Sequence, residues 1–151
     1  MSRIRIVVAD QAEAVFYDSE SLRARPREVA RITDPVAHLH DRDLASERPG
    51  RTYESYGRAR HAVGGENDSR HVEAVRFARR IARRLDVARR NGEFEELIVV
   101  AGPPFLGLVR EGLSRPTRAR VVHEVHKDLV HMPLAALQKH LPRSAAELLP
   151  S

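Results

Sequence analysis

The feature that most constrains the fold is a short apolar run in the second half of the chain, Leu97-Ile98-Val99-Val100, which ends at Gly102-Pro103-Pro104. Four consecutive apolar residues, mostly β-branched and bounded by glycine and proline, are typical of a buried strand. A similar run, Ile4-Arg5-Ile6-Val7-Val8, lies near the start of the chain. Because helical patterns flank Glu96–Ala101 on both sides, we expect this strand at the centre of an α/β sheet.

The remaining segments predict the order β-β-β-α-loop-α-β-α-β-α. Three strands form a predicted antiparallel meander, over Arg3–Asp10, Ala12–Asp18 and Arg27–Asp34, and Asp34-Pro35 is a cap signal for a short helix. A long helix is predicted from Asp68-Ser69, a good N-cap, to Asn91-Gly92, a good C-cap. The last predicted elements are a helix at Phe105–Leu113, a strand at Arg118–Val125 and a helix at Pro133–Leu141.

A meander followed by helix–strand alternation predicts an α/β fold with a mixed sheet, in which antiparallel and parallel strands are covered by helices. That order is the ribonuclease-H-like pattern. A chain of 151 residues fits one domain. We assign residues 1–141 to it, with a long basic loop at 41–68 and a frayed tail at 142–151.

Composition excludes several classes of protein. The chain contains no cysteine, so disulfides, thiolate metal sites and cysteine nucleophiles are excluded. No apolar run approaches the roughly 20 residues of a membrane span, and the apolar stretch at the start is too short for a signal peptide. We therefore expect a cytoplasmic protein without a membrane partner.

Positive charge is concentrated on the long predicted helix. On a helical wheel one side is apolar, with Ala74, Ala78, Ile81, Ala82, Leu85 and Ala88, and Val75 and Phe77 at its edges. The opposite side carries Arg76, Arg79, Arg80, Arg83 and Arg90, with Arg84 nearby. From Arg70 to Arg90 there are eight arginines against two acids, a net +6 that exceeds the +5 of the whole chain.

Arginines four residues apart repel one another by a few tenths of a kcal/mol. An anionic partner would relieve this repulsion, and the planar arginine fork suits phosphate because it can bond two oxygens. Two alternatives stay open. The first is that the arginines only face solvent, as most charged helix faces do. The second is that the arginine excess reflects a GC-rich genome, since the chain has only two lysines, Lys127 and Lys139.

The segment 41–65 is polar, glycine-punctuated and without a period, and loops of about 25 residues are usually functional or disordered. Its arginines, with Tyr53 and Tyr56, are candidates to contact phosphates and stack on bases. A loop held by its own ion pairs with Glu47 and Glu54 is the alternative. Across the loop and the helix, the candidate RNA-contacting residues are Arg48, Arg51, Arg58, Arg60, Gly64, Gly65, Glu66, Arg76, Arg79, Arg80 and Arg83.

Three separated motifs, Ser46–Tyr53, Val100–Arg110 and Lys127-Asp128-Leu129 followed by Pro133-Leu134, together resemble the bacterial host-attachment protein family. The resemblance spans roughly residues 3–141, and proteins of that family are described as required for attachment to host cells. The family is similar in turn to the middle domain of archaeal and eukaryotic class-1 release factors and Pelota. This resemblance implies a release-factor-like fold and a role at the ribosome.

In class-1 release factors a Gly-Gly-Gln loop precedes a long basic helix and promotes peptidyl-tRNA hydrolysis. Here Gly64-Gly65-Glu66 precedes the predicted helix, and two glycines permit close approach to an RNA backbone. The third residue departs from the pattern, because Glu66 carries a negative charge where the pattern has a neutral amide. Gly-Gly pairs are also common in ordinary turns, so hydrolase activity is not carried over from this resemblance.

Metal and nuclease sites are not predicted. Asp10 and Glu73 fit two positions of a ribonuclease-H-type carboxylate set, but the strand ending at Ala101 is followed by no acid. The histidine pairs His38/His40 and His123/His126 lack the i,i+4 or convergent spacing of a metal site. We expect no catalytic residue, no metal and no cofactor.

The sequence thus favours a non-catalytic, translation-associated module that binds ribosome or tRNA phosphates, in rescue or hibernation of ribosomes. The alternative is a host-attachment interaction protein that acts through protein partners. A third hypothesis is a peptidyl-tRNA hydrolase.

Overall fold

The computed structural model describes residues 3–37 and 59–149, and for 59–67 it describes the backbone alone. Its centre is a five-stranded sheet with the order β3-β2-β1-β4-β5. The strands are β1 (Ile4–Ala9), β2 (Glu13–Ser19), β3 (Arg27–Thr33), β4 (Glu96–Ala101) and β5 (Val121–Val125). The pairs β1–β2 and β2–β3 are antiparallel, whereas β1–β4 and β4–β5 are parallel. The predicted mixed α/β sheet is confirmed, and its order is compatible with the ribonuclease-H-like pattern.

Four helices accompany the sheet, α1 (Ala59–Arg90), α2 (Pro103–Gly112), α3 (Arg115–Arg118) and α4 (Leu134–Gln138), and a 3-10 turn follows at Ala145–Glu147. A further helical turn begins at Pro35, where the Val36 N–H donates to Asp34 Oδ1 at 3.1 Å. This contact confirms the predicted Asp34 cap. The predicted C-terminal signal of the long helix is also confirmed, because Gly92 has a φ of +73°, which favours glycine.

Each face of the sheet has its own apolar layer. Successive residues of a strand point to opposite faces, so Val7 and Ala9 pack beneath α1 and α2, whereas Ile6 and Val8 pack on the other face. That second face is covered by α4 and the segment before it, through Val125, Leu129, Val130 and Leu137. β1 and β4 are therefore buried on both sides, as their mainly apolar sequences predict.

The apolar side of α1 is the one predicted from the wheel. Ala74, Ala78, Ile81, Ala82, Leu85 and Ala88 are all buried, at 0–7% exposure. Phe77, predicted at the edge of this side, is 2% exposed. Its ring lies 6.2 Å from that of Phe105, because α2 packs against α1 there. The outward side of α1 is consequently fixed relative to the sheet.

Predicted boundaries are wrong at α1, at β5 and in the C-terminal tail. α1 begins at Ala59, well before the predicted cap at Asp68, so residues 59–68 belong to the helix and not to the predicted loop. β5 begins at Val121 rather than at Arg118, because Arg115–Arg118 form α3. The C-terminal tail does not fray at Pro142. The Glu147 carboxylate accepts from the Arg143 and Ser144 N–H groups, and the Leu149 N–H donates to the Val122 carbonyl at 3.2 Å. A capping box and the edge of β5 therefore hold the tail to the domain.

Arg5 is an exception in the apolar layer beneath α1. Arg5 is 5% exposed. Its guanidinium group donates hydrogen bonds to Asp18 at 2.5 and 3.1 Å and to Glu93 at 3.2 Å. It also lies 5.7 Å from the centre of the Phe94 ring. A buried arginine needs such partners because an unpaired buried charge is strongly destabilising. The ion pairs of Arg5 with Asp18 and Glu93 connect β1 and β2 to the turn after α1.

A second ion pair joins α2 to the edge strand β5 and predicts a pH effect. Arg110 donates to both oxygens of Glu124, at 3.0 and 2.5 Å. These hydrogen bonds lower the pKa of Glu124 from its usual 4.5, while partial burial opposes them. The pKa of Glu124 is lower in the folded than in the unfolded chain. The ion pair therefore makes its full contribution to the free energy of unfolding above the unfolded pKa, and this contribution is lost as pH falls through the folded pKa.

Glu124→Gln is therefore expected to lower the free energy of unfolding at pH 7 by at most about 1 kcal/mol, since the guanidinium is half-exposed. At pH 3 the difference from the wild type should shrink. Urea unfolding of the variant and the wild type at pH 7 and pH 3 measures the difference in free energy of unfolding at each pH. Glu111→Gln is the matched control, because the exposed Glu111 has no ion pair in the part of the chain that the structure describes. An equal loss at both pH values would contradict the assignment.

Candidate functional site

The outward side of α1 is a strip of exposed arginines. We call Arg76, Arg79, Arg80 and Arg83 the arginine surface; all four residues are exposed, and the side chain of Arg76 is 73% exposed. They lie opposite the buried alanines and leucine of the same helix, which anchor the strip to the core. The structure thus brings together the four helical residues that the sequence predicted as RNA-contacting.

The guanidinium groups of two arginines lie over aromatic rings. Arg80 donates from Nη1 to the Thr33 carbonyl at 3.0 Å, and its guanidinium carbon lies 5.9 Å from the centre of the Phe77 ring. Arg84, beside the arginine surface, lies 5.3 Å from the centre of the Phe16 ring. Cation–π contacts of this kind restrict the side chain and leave the outer guanidinium face open. The strip therefore has fixed as well as mobile charges.

The other members of the strip carry little compensating charge. Arg76 approaches Glu73 at 3.8 Å, an exposed pair of small energy. Arg79 and Arg83 make no hydrogen bond or ion pair with any side chain or backbone group in 3–37 and 68–149. Their positive charge is available to an external anion, and this is the strongest electrostatic feature of the helix.

Not every arginine of α1 faces outward. Asp86 accepts from the hydroxyls of Ser114 at 2.8 Å and Thr117 at 2.5 Å, and Arg89 donates to Thr117 Oγ1 at 2.8 Å. This network joins α1 to α3. Arg89 and Asp86 therefore have a structural role, and the net charge of the helix overstates the charge of the arginine surface.

A groove beside the arginine surface was not predicted from the sequence. It has a volume of about 570 Å³ and runs between α1 and the edge strand β3, with Arg83 and Arg84 on one wall. Val29 and Val87, 40% and 46% exposed, lie at its mouth, and the Arg5–Asp18–Glu93 cluster lies at its base. The signal that would have found it is Val87, an apolar residue on the charged side of the wheel. The groove adds apolar contact area next to the positive strip.

The other predicted site residues precede Arg76 in the sequence. Arg48, Arg51 and Arg58 lie outside the described residues. Arg60, Gly64, Gly65 and Glu66 lie within α1 rather than in a loop before it. An α-helical backbone does not use the positive φ values that make glycine special, so the predicted loop geometry of Gly64-Gly65-Glu66 is wrong.

A small cleft of about 290 Å³ lies at the carboxyl ends of β1 and β4, lined by Asp10, Arg70, Gly102 and Asp128 among others. Asp10 Oδ1 accepts from the Ala12 and Glu13 N–H groups at 2.8 Å, so this carboxylate shapes the β1–β2 turn. Glu73 pairs with Arg76 instead of facing the cleft alone. Within the described ranges no three histidine or acidic residues are grouped as metal ligands, and no nuclease-type set is assembled there.

The fold and the surface together define an α/β domain with a five-stranded mixed sheet and a basic helix face. A family model described as "Protein required for attachment to host cells" matches residues 5–141. The chain belongs to this family. It is similar to an uncharacterized protein of Rickettsia prowazekii (strain Madrid E), with 26% identity over 141 residues that cover 89% of each chain. None of the helices in the described part is long and apolar enough to cross a bilayer.

Proposed function

We propose that the protein is a non-catalytic, translation-associated module that binds the phosphates of the ribosome or tRNA through the arginine surface. The observation that carries the proposal is the pair Arg79 and Arg83, which are exposed on a rigid helix and have no partner in the described residues. Arg76 and Arg80 flank them on the same face. Four cations on one rigid strip match the closely spaced charges of a nucleic-acid backbone.

Arginine is the cation best suited to such a contact, because its fork bonds two phosphate oxygens and it stacks on flat rings. The groove beside the strip supplies Val29 and Val87 as apolar contacts for a base or ribose. Arg84, supported from below by Phe16, offers a flat outer face for base stacking. These features favour RNA with accessible bases over a simple polyanion.

The ribosome or tRNA is proposed as the RNA because the family resembles the middle domain of class-1 release factors and Pelota. Rescue or hibernation of ribosomes fits a binding role without chemistry. Peptidyl-tRNA hydrolysis has less support, since Gly64-Gly65-Glu66 lies inside α1 and Glu66 departs from the release-factor pattern.

A host-attachment interaction protein remains the second candidate, and the description of the family favours it. In that case the arginine surface and the neighbouring groove would contact an acidic partner protein. Fractionation of cells separates the two roles: recovery of the protein on the cell surface supports attachment, and recovery with ribosomes supports translation.

Sucrose-gradient sedimentation of a cell lysate tests the preferred function. At low salt a ribosome-binding protein is expected to move with ribosomal subunits, and at high salt it should move to the top of the gradient. This shift follows because phosphate contacts release counterions, and each contact makes binding steeply salt-dependent. Sedimentation with free protein at low salt would exclude ribosome binding, ribonuclease treatment controls for protein-mediated association, and direct titration with labelled tRNA tests tRNA binding.

A further inference from the structure

A second pocket lies on the face of the sheet opposite α1. It has a volume of about 480 Å³, within the usual range of small-molecule sites. Ile4 and Ile6 of β1 and Ile98 of β4 form its floor, and they are 1–3% exposed. The half-buried Leu22 and Leu141 lie at its sides. Because the floor exposes so little area, it fits a slender apolar chain better than a broad ring system.

Both walls of this pocket are braced by their own hydrogen bonds. At the end of β2, Ser19 Oγ donates its one proton to the Ser21 carbonyl at 2.6 Å, with the Ala24 carbonyl a second, weaker acceptor at 3.2 Å, and in the β2–β3 connection the Ala24 N–H donates to Ser21 Oγ at 3.1 Å. The other wall is the capped turn at 143–147 described above. A pocket between two braced walls needs little reorganisation on binding, which reduces the entropic cost of a ligand.

Each wall carries one arginine at the rim. Arg23 and Arg143 line the pocket and are exposed, and their guanidinium groups make no hydrogen bond within 3–37 and 68–149. Glu147, the acidic residue of the lining, already accepts two backbone N–H groups, and the first of these, from Arg143, lowers its pKa. With two cations and one anion, the rim has a net charge of +1 above an apolar floor.

We propose that this pocket binds a small amphipathic monoanion, an unbranched alkyl carboxylate of medium chain length. The carboxylate lies between the Arg23 and Arg143 guanidinium groups, and the alkyl chain lies along Ile4, Ile6 and Ile98. A carboxylate fits because arginine bonds it through two parallel N–H donors. The site is on the face away from the arginine surface, so it is independent of RNA binding.

Isothermal titration of the full chain with decanoate, octanoate and decyltrimethylammonium tests the proposal. One decanoate is expected per chain, bound at least tenfold more tightly than decyltrimethylammonium, which has the same tail and the opposite charge. Octanoate should bind about 15-fold more weakly than decanoate, because two methylene groups leave the apolar floor. Equal binding of the two decyl compounds, or no saturable binding of monomeric decanoate, would overturn the assignment.

Variants locate the site. Arg23→Gln with Arg143→Gln should weaken decanoate binding at least tenfold, whereas Arg25→Gln with Arg115→Gln, exposed arginines outside the pocket lining, should change it less than twofold. Methyl NMR gives an independent readout that does not depend on a variant. Decanoate is expected to shift the methyl signal of Ile98 and not that of Ile81, which packs under α1. Shifts confined to Ile81, or an unchanged affinity of the Arg23/Arg143 variant, would place the ligand elsewhere.

Discussion

Arg79→Glu with Arg83→Glu is expected to weaken binding to tRNA or ribosomes by at least about 100-fold at low salt. The change removes two cations that have no partner in the described residues and places two carboxylates against phosphate. With single-stranded RNA the slope of log affinity against log salt should fall by about 1.4, since each lost contact removes roughly 0.7. Fluorescence anisotropy at about 50 to 200 mM salt measures the affinity with labelled bulk tRNA and the slope with a labelled single-stranded RNA.

The matched control is Arg115→Glu with Lys139→Glu, which changes the net charge equally at exposed residues away from the arginine surface. It should alter affinity less than about threefold and leave the slope unchanged. Unfolding cannot account for the loss in the first variant, because new carboxylates beside Arg76 and Arg80 relieve repulsion along α1 and support the helix. If both variants lost affinity equally, binding would depend on overall charge, and the arginine surface would have no special role.

Most of the fold follows from patterns that the sequence displays directly. The runs at Ile4–Val8, interrupted by Arg5 alone, and Leu97–Val100 are apolar on both faces of an extended chain, so they predict buried strands, and the structure places β1 and β4 side by side at the centre. The wheel of α1 predicts its buried side because alanines and leucines recur at helical spacing. The wheel places Phe77 only at the edge of the apolar side, since its full burial depends on α2, which is remote in sequence.

The boundary errors at α1 and in the tail have different causes. Gly64-Gly65 argued against a helix, since glycine costs about 1 kcal/mol in a helix interior, and Asp68-Ser69 offered a better start. Local preference is nevertheless a weak guide, and α1 continues back to Ala59. The tail, by contrast, carried a usable signal. Ser144-Ala145-Ala146-Glu147 has the spacing of a capping box, which would have predicted an ordered turn after Pro142.

The sequence predicted the arginines of the candidate site, but it did not predict the groove beside them or the aromatic rings beneath Arg80 and Arg84. Arginine spacing on a helix is sufficient to predict the strip, because the helix period alone decides which residues share a side. Phe77 lies three residues before Arg80 on the same helix, whereas Phe16, which lies beneath Arg84, belongs to β2 and meets Arg84 only in the folded chain. The burial of Arg5 against Asp18 and Glu93 is equally non-local, with partners 13 and 88 residues away.

Phe77→Ala is expected to lower the free energy of unfolding by about 3–5 kcal/mol. Phe77 is 2% exposed and lies between the sheet and α2, so its removal leaves a cavity that rigid neighbours cannot fill. Domains have total stabilities of about 5–15 kcal/mol, so this single change removes a large share. Urea unfolding followed by circular dichroism measures it. Arg76→Ala, the preceding and exposed residue, should stay within about 0.5 kcal/mol of the wild type.

The guanidinium of Arg80 lies over the Phe77 ring, so Phe77→Ala also removes that contact. An exposed cation–π contact contributes only about 0.5–1 kcal/mol, well below the expected cavity cost. The loss caused by Phe77→Ala should therefore persist, within about 1 kcal/mol, in an Arg80→Ala background. If most of the loss disappeared there, the ring would act mainly as a support for Arg80. The attachment of the arginine surface to the core would then have to depend on the buried alanines and leucine of α1 instead.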